Sequence, residues 1–334
     1  MQNLKVSIVT VSYNSVACIE KTILSVLGQT YPDIEYIIID GGSSDGTVDI
    51  IKKYSDKISF WVSEPDKGIY NAMNKGLARA TGSWINFMNA GDTFHQPDTI
   101  ERFLGKVPEG TVVAYGQNLR ILSDCSYISP RQELDLDKLA VMSIIPHQST
   151  FISLDYHKKH PFDESLAIAG DYKFFHTAYF KDQVRFSFIH NVVADYDGEN
   201  GASKTRTMSR LLAIAKEEYQ ARGEAYTLPK KAGRWILSAK LALKELMPEK
   251  WRLKRRRQLL KRQGFEILER PGTGTLHIPE NVSRHVLVVG EYYKDVQGGG
   301  VVSVIRSHSR YYDVFNFIAS YRNGSFLNKI VFIR

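Results

Sequence analysis

The sequence predicts an α/β fold with a mostly parallel sheet and flanking helices, and three observations predict it. β-Branched apolar runs alternate with short amphipathic helices from Leu4 to Asp92. Strands that alternate with helices need crossover connections, and those build parallel sheets. The conspicuous polar residues, Ser12-Tyr13-Asn14, Asp40, Glu64-Pro65-Asp66 and Asn89 to Asp92, all fall at strand ends, where open sheets of this class bind ligands.

The first strand is read over residues 4–12, and Tyr13-Asn14-Ser15 turns the chain into a helix. That helix carries Ile19, Ile23, Val26 and Leu27 at core-facing spacing, and Tyr31-Pro32 stops it. A second strand runs from Ile34 to Asp40, and the turn Gly41 to Thr47 opens another helix. Ile58 to Ser63 is a third strand, Gly68 to Ala80 a helix, and Trp84 to Asn89 a fourth strand ending in Ala90-Gly91-Asp92. From Val112 to Ala202 the pattern is shorter and mixed, with strands near Val112 to Tyr115 and Gln148 to Leu154 and a helix around Tyr172 to Phe180.

Residues 207–262 read as helical, and Gly272-Thr273-Gly274 separates them from the C-terminal stretch. His285 to Gly290 is a fresh strand, Gly298-Gly299-Gly300 a loop, Val301 to Tyr311 a helix and Ile330 to Ile333 a strand. The expected organisation is a main domain at 1–205, a basic helical segment and linker at 206–284, and an incomplete Rossmann-like unit at 285–334.

The 334 residues carry a net charge of +8, and 43% are apolar, enough for an enzyme-sized core. Between Lys230 and Arg262 thirteen basic residues face only Glu245 and Glu249, so the remainder is slightly acidic. Two cysteines, Cys18 and Cys125, make neither a disulfide framework nor a zinc site and fit a reducing cytosol. A secretory leader and a long apolar span are both missing from the sequence, so a cytoplasmic location is expected. Charge without a recognised binding motif argues against nucleic acid. Trp235, Ile236, Leu237, Leu241 and Trp251 among the lysines and arginines make 230–262 either a peripheral membrane contact or a helix packed on the main domain.

Each candidate residue has two readings. Asp40 either accepts hydrogen bonds from a nucleotide base or ribose, or closes its own turn. Asp92 either offers a hard oxygen to Mg2+ or Mn2+ or caps the next helix. Lys67 beside a helix N-terminus faces phosphate, or Asp66 simply caps that helix and Lys75 stays solvated, and Asn74 lies on the helix's polar face. Asp171 is a general base or an N-cap. His147 touches phosphate or acceptor, or is a packed polar residue.

Together, residues 6–14, 37–47, 66–76 and 89–92 (Val-Ser-Ile-Val-Thr-Val-Ser-Tyr-Asn, Ile-Ile-Ile-Asp-Gly-Gly-Ser-Ser-Asp-Gly-Thr, Asp-Lys-Gly-Ile-Tyr-Asn-Ala-Met-Asn-Lys-Gly and Asn-Ala-Gly-Asp) resemble glycosyltransferase family 2, over roughly residues 4–205. The resemblance implies a GT-A fold, an inverting sugar transfer from a nucleotide-sugar donor, UDP being the common choice, and a divalent metal. It implies a nucleotide pocket drawn from Thr10, Val11, Ser12, Tyr13, Asp40, Asp66, Lys67, Asn74, Asn89 and Ala90, a metal at Asp92 and a base at Asp171. Two departures stand out: the acid that precedes the base in the family is Gly170 here, and one carboxylate, Asp92, stands where many members have two or three. The Asn-Ala-Gly-Asp form is similar to enzymes of bacterial surface polysaccharides, whose acceptors are glycans or lipid-linked glycans. The tail from His285 resembles the opening of a GT-B glycosyltransferase. A dehydrogenase is rejected, because no glycine-rich turn comes after the first strand. A weakened sugar-nucleotide-binding subunit is the alternative.

Overall fold

The computed structural model describes residues 4–197, 208–224, 227 and 248–268, and the backbone of short strands beyond residue 285. Residues 1–268 form one compact unit and 269–334 another. The expected loop at Gly298–Gly300, the helix Val301–Tyr311, the break at Gly272–Gly274 and the tryptophan-bearing run before residue 248 lie outside the described residues.

The first unit opens with β1 (Val6–Ser12), α1 (Ile19–Leu27), β2 (Ile34–Asp40), α2 (Thr47–Lys53), β3 (Phe60–Ser63), α3 (Ile69–Arg79) and β4 (Trp84–Phe87). It continues through β5 (Thr93–Phe94), α4 (Thr99–Leu104), β6 (Val113–Ile121), β7 (Ser126–Ser129), β8 (Thr150–Ser153), α5 (Leu154–Lys159), α6 (Gly170–His176), β9 (Phe186–Asp197), α7 (Met208–Ala221) and α8 (Glu249–Arg262). The nine strands form one sheet in the order β3-β2-β1-β4-β8-β6-β9-β5, with β7 on β6. The first four strands are parallel, as the alternation predicts. In the second half β8 runs antiparallel between β4 and β6, while β9 returns parallel to β6.

Side chains alternate across a strand, and both faces of this sheet are covered, so all of β1 and all of β2 after Ile34 are buried. Val9, Val11, Ile37 and Ile39 face one way, onto a core that includes Met73 and Leu77 of α3. Val6, Ile8 and Ile38 face the other way, with Ile19, Ile23 and Val26 of α1 and Ile51 of α2. Each such side chain contributes about 1.5–3 kcal/mol through burial. Helix α3 lies so close to the sheet that a Cβ on Gly76 would stand 2.4 Å from Val9 Cγ1.

The main unit extends beyond the expected boundary at residue 205. Glu217 of α7 accepts hydrogen bonds from Ile168 N and Ala169 N at 2.7 and 3.0 Å. Helix α8 packs through Leu260 onto Leu122 and Cys125 beside the β6–β7 hairpin, and Arg256 and Arg257 both pair with Asp124. In the second unit the strands Val286–Leu287 and Val314–Phe317 each pair antiparallel with Val331–Ile333.

Candidate active site

Register aligns Ser12, Asp40 and Ser63 at the carboxyl ends of β1, β2 and β3. Asp40 sits between its two neighbours, fully buried, and accepts from five donors. Ser12 Oγ and Ser43 Oγ reach Oδ1 at 2.9 and 2.6 Å; Ser63 Oγ, Ser43 N and Gly42 N reach Oδ2 at 2.7, 2.9 and 3.2 Å. Burial pushes this carboxyl up, and the hydrogen bonds from Ser43, Ser63 and Ser12 outweigh it, so its pKa lies below the ordinary value. The turn-closing reading of Asp40 is therefore the one its geometry supports. Its carboxylate shapes the crevice floor from beneath.

Several pocket candidates stand behind the surface. Thr10 is fully buried and donates to Met88 O at 2.8 Å, and Val11 belongs to the core. Asn74 is occupied on both sides of its amide: Nδ2 donates to Phe162 O and Glu164 Oε1, and Oδ1 accepts from Phe162 N. It clamps the 162–164 loop instead of facing a ligand, because α3 turns that side toward the segment leading to α6. Sequence spacing cannot reveal that partner.

Tyr13, by contrast, is 65% exposed. A Cβ on Gly41 would meet Tyr13 Cδ2 at 3.4 Å and collide with the Asp66 carboxylate. Glycine at 41 thus lets Asp66 lean over the end of β2 beside the Tyr13 ring. Asp66 Oδ1 caps the turn by accepting from Gly68 N at 2.8 Å, and Lys67 is exposed next to it. Tyr13, Asp66 and Lys67 form the accessible part of the crevice on this side.

The other part lies beyond β4. Ala90 N donates to Val11 O and Asp92 N to Asn89 O, which curls 89–92 into a tight turn, with Gly91 at φ 104. Antiparallel pairing of β4 with β8 brings His147, just before β8, to this turn. Asn86 Nδ2 fastens that approach by donating to Gln148 O and Thr150 O, both at 2.9 Å. His147 Nε2 then lies 3.2 Å from Asn89 Nδ2, and His147 Nδ1 lies 3.4 Å from Asp171 Oδ2. In this amide orientation Asn89 Oδ1 is buried without a hydrogen-bond partner.

Burial pushes the His147 imidazole down, but the hydrogen bond to Asp171 and the charges of Asp171 and Asp92 outweigh it and raise its pKa. Burial likewise pushes Asp171 up, and His147, Tyr172 N and the Tyr70 hydroxyl hold it below its ordinary value. The result is a partly buried ion pair whose carboxylate is ionised at neutral pH. A cavity of about 30 Å³, room for one water, lies beside it among Tyr70, Met73, Phe87, His147, Phe162 and Asp171.

The structure thus joins Asn89, His147 and Asp171, and curls Asp92 onto the same turn as Asn89. Sequence reading missed Tyr70, whose hydroxyl is 3.0 Å from Asp171 Oδ1, although Tyr70 lies inside the 66–76 block. It also missed Glu217, for which the helical run around it gives no signal.

This order of blocks on this sheet matches known proteins. Residues 7–176 match Glycosyl transferase family 2. The chain belongs to that family. An uncharacterized glycosyltransferase of Mycobacterium tuberculosis is 34% identical over 176 residues, which is 51% of this chain and 66% of the relative. The chain therefore spans just under two-thirds of that relative's length. A PGL/p-HBAD biosynthesis glycosyltransferase of Mycobacterium bovis is 28% identical over 206 residues, 60% of this chain and 79% of the relative. Among solved structures, the mannosyltransferase PcManGT of Pyrobaculum calidifontis, in complex with GDP-Man and Mn2+, superposes with a TM-score of 0.53 at 16% identity, over 78% of this chain and 75% of that one. At that identity the likeness speaks for the GT-A fold alone.

Proposed function

We propose that the protein moves a sugar from a nucleotide-diphosphate donor to an acceptor hydroxyl with inversion. The acceptor is a growing or lipid-linked glycan of surface-polysaccharide synthesis. The observation that carries this reading is the Asp171 carboxylate, held by His147 at the β4 end, next to the turn that bears Asp92.

In this reading the nucleotide lies over the ends of β1–β3. The Tyr13 ring offers a face for the base, the Asp66 carboxylate a hydrogen-bond acceptor and Lys67 a positive charge. Ser12 and Asp40 set the floor, and Asn89 and Ala90 border the diphosphate. Asp171 takes the acceptor proton as the hydroxyl oxygen attacks the anomeric carbon and the bond to the diphosphate breaks.

A divalent cation, Mn2+ or Mg2+, fits the donor set, with Asp92 as one hard carboxylate and the orphaned Asn89 Oδ1 as a second hard oxygen. Among the described residues there is no cluster of three or more His, Cys, Asp or Glu side chains suited to a metal. Diphosphate and water would complete the shell, and affinity without the donor is weak. Such a cation neutralises charge on the leaving diphosphate. The complex of the Pyrobaculum enzyme with GDP-Man and Mn2+ supports both ligands in kind, and UDP is the default nucleotide here.

Peripheral contact with the inner face of the cytoplasmic membrane through 230–262 belongs to the same reading. No helix of the described residues is long and apolar enough to cross a membrane. Helix α8 supports surface contact, because Trp251 and Leu259 are 67% and 46% exposed beside Lys254, Arg255 and Arg262. Residues 285–334 are read as the beginning of a second, GT-B-type unit.

Incubation with UDP-, GDP- and dTDP-sugars, with Mn2+ and then with EDTA, tests the proposal. Metal-dependent binding of one donor, lost in Asp92→Ala, is the expected result. A folded sample that binds none of them sinks it.

A further inference from the structure

Gly170, immediately before the base, has no space for a side chain. A Cβ there would lie 2.7–2.8 Å from Cε2, Cδ2 and Cζ of Tyr70. These are ring atoms in a packed core and do not yield as the end of a flexible chain would. Tyr70 is 5% exposed and packs against the Phe162 ring, tilted by 46° at 5.4 Å between centroids, so the ring is held in place. Its hydroxyl is 2.6 Å from Ile168 O and 3.0 Å from Asp171 Oδ1, two oxygens of one short loop. Burial, and then the charge of Asp171, push the phenol pKa upward, so it remains a donor.

From the opposite side, Glu217 accepts from Ile168 N and Ala169 N. Asp171 Oδ1 also takes Tyr172 N at 2.8 Å. One carboxylate oxygen is therefore tied down, and Oδ2 is left toward His147.

We propose that Tyr70 is the positioning residue of Asp171, and that residue 170 is glycine because the Tyr70 ring occupies the volume a side chain would need. A large aromatic at 70 and an acid at 170 exclude each other on this backbone. The hold on the carboxylate comes from the first turn of α3, which packs in the same core as the start of α6. This inference rests on Asp171 being the base.

The test uses the full chain with 13C-labelled aspartate carboxyl groups. Asp171 is assigned from the signal missing in Asp171→Asn. The charged groups facing it are His147 and, through His147, Asp92. Tyr70→Phe removes one oxygen atom and keeps the ring. It is expected to raise the Asp171 titration midpoint, since a donor to the charged form is lost.

In hydrolysis of whichever of UDP-Glc, UDP-GlcNAc or GDP-Man is turned over, Tyr70→Phe should lower kcat about tenfold with KM unchanged, and Gly170→Ala roughly a hundredfold through displacement of the base. In a Tyr70→Ala background, Gly170→Ala should move the midpoint no further. An unmoved midpoint in Tyr70→Phe overturns the proposal, as do additive effects of Gly170→Ala and Tyr70→Ala on that midpoint. If Asp171→Asn keeps full turnover while Tyr70→Phe still moves the midpoint, the base reading fails and the hold by Tyr70 stands.

Discussion

The His147 imidazole stands 3.4 Å from the Asp171 carboxylate, and this contact joins the approach to β8 with the first turn of α6. Each partner holds the other charged against its burial. Removing the carboxylate in Asp171→Asn leaves burial as the dominant influence on His147, so its pKa should fall below the ordinary 6.5. Long-range 1H–15N spectra of the imidazole across pH measure this directly. An imidazole that still titrates above 6.5 in that variant would show that Asp171 is not what sustains its charge.

The same pair fixes the sign of a pH dependence. The folded pKa of His147 is raised, so its contribution to stability is full below 6.5 and is lost as pH rises through the folded value. That of Asp171 is lowered, so its contribution is full above 3.8 and is lost as pH falls through the folded value. Urea midpoints of the wild type should therefore decline as pH rises from 6.5 through the raised His147 value and level off above it, and this decline should vanish in Asp171→Asn.

Asp40→Asn tests the floor of the crevice. The amide keeps the shape but sets an NH2 group against donors, where five now converge on the carboxylate. A loss of about 2–4 kcal/mol in chemical denaturation is expected. A neutral result would mean that the loop after β2 does not need the charge.

Gly76→Ala reverses the usual helix rule. Alanine ordinarily stabilises a helix interior by about 1 kcal/mol over glycine. Here the methyl group would lie 2.4 Å from Val9 Cγ1, so α3 must lift from β1. A net loss of about 1–3 kcal/mol in thermal or urea unfolding is expected.

Asp124 anchors α8. Arg257 donates to its carboxylate at 3.2 Å and to its carbonyl at 2.7 Å, and Arg256 pairs with the same carboxylate. Beneath lies Cys125, fully buried, with a thiol pKa pushed up by burial. Asp124→Ala should loosen the helix, and the rate of thiol modification at Cys125 should rise several-fold with the fold of β1–β4 intact. Separately, sedimentation with phosphatidylglycerol vesicles should weaken in Trp251→Ala/Arg255→Glu, whose wild-type side chains lie on the outer face of α8.

The legible part of this protein is local. Neighbours such as Ile8 and Val9 fall on opposite faces of β1 by strand geometry alone, and the apolar run marks the strand as buried. The strand-end positions of Asp40, Asp66 and Asp92 come from the same pattern. Residue 205 as a boundary is not visible as a gap in packing, because the contacts of Glu217 and Leu260 with the main unit are set by tertiary fit and not by composition.

By itself, then, the sequence determined the strand–helix alternation, the parallel first half of the sheet and the carboxylates at its ends, since each depends on residues a few positions apart. Only the tertiary structure decided what those groups do to one another. Asn89 and His147 are separated by 58 positions and Tyr70 and Asp171 by 101. Their meeting depends on the antiparallel insertion of β8 beside β4 and on how closely α3 approaches the loop before α6. No short-range pattern carries that information, because register and packing distance are properties of the whole sheet. The same physics explains why Asp40 and Asn74, polar and well placed in the linear sequence, turn inward. Buried donors and acceptors must be satisfied, and their nearest partners were Ser12, Ser63 and the 162–164 loop.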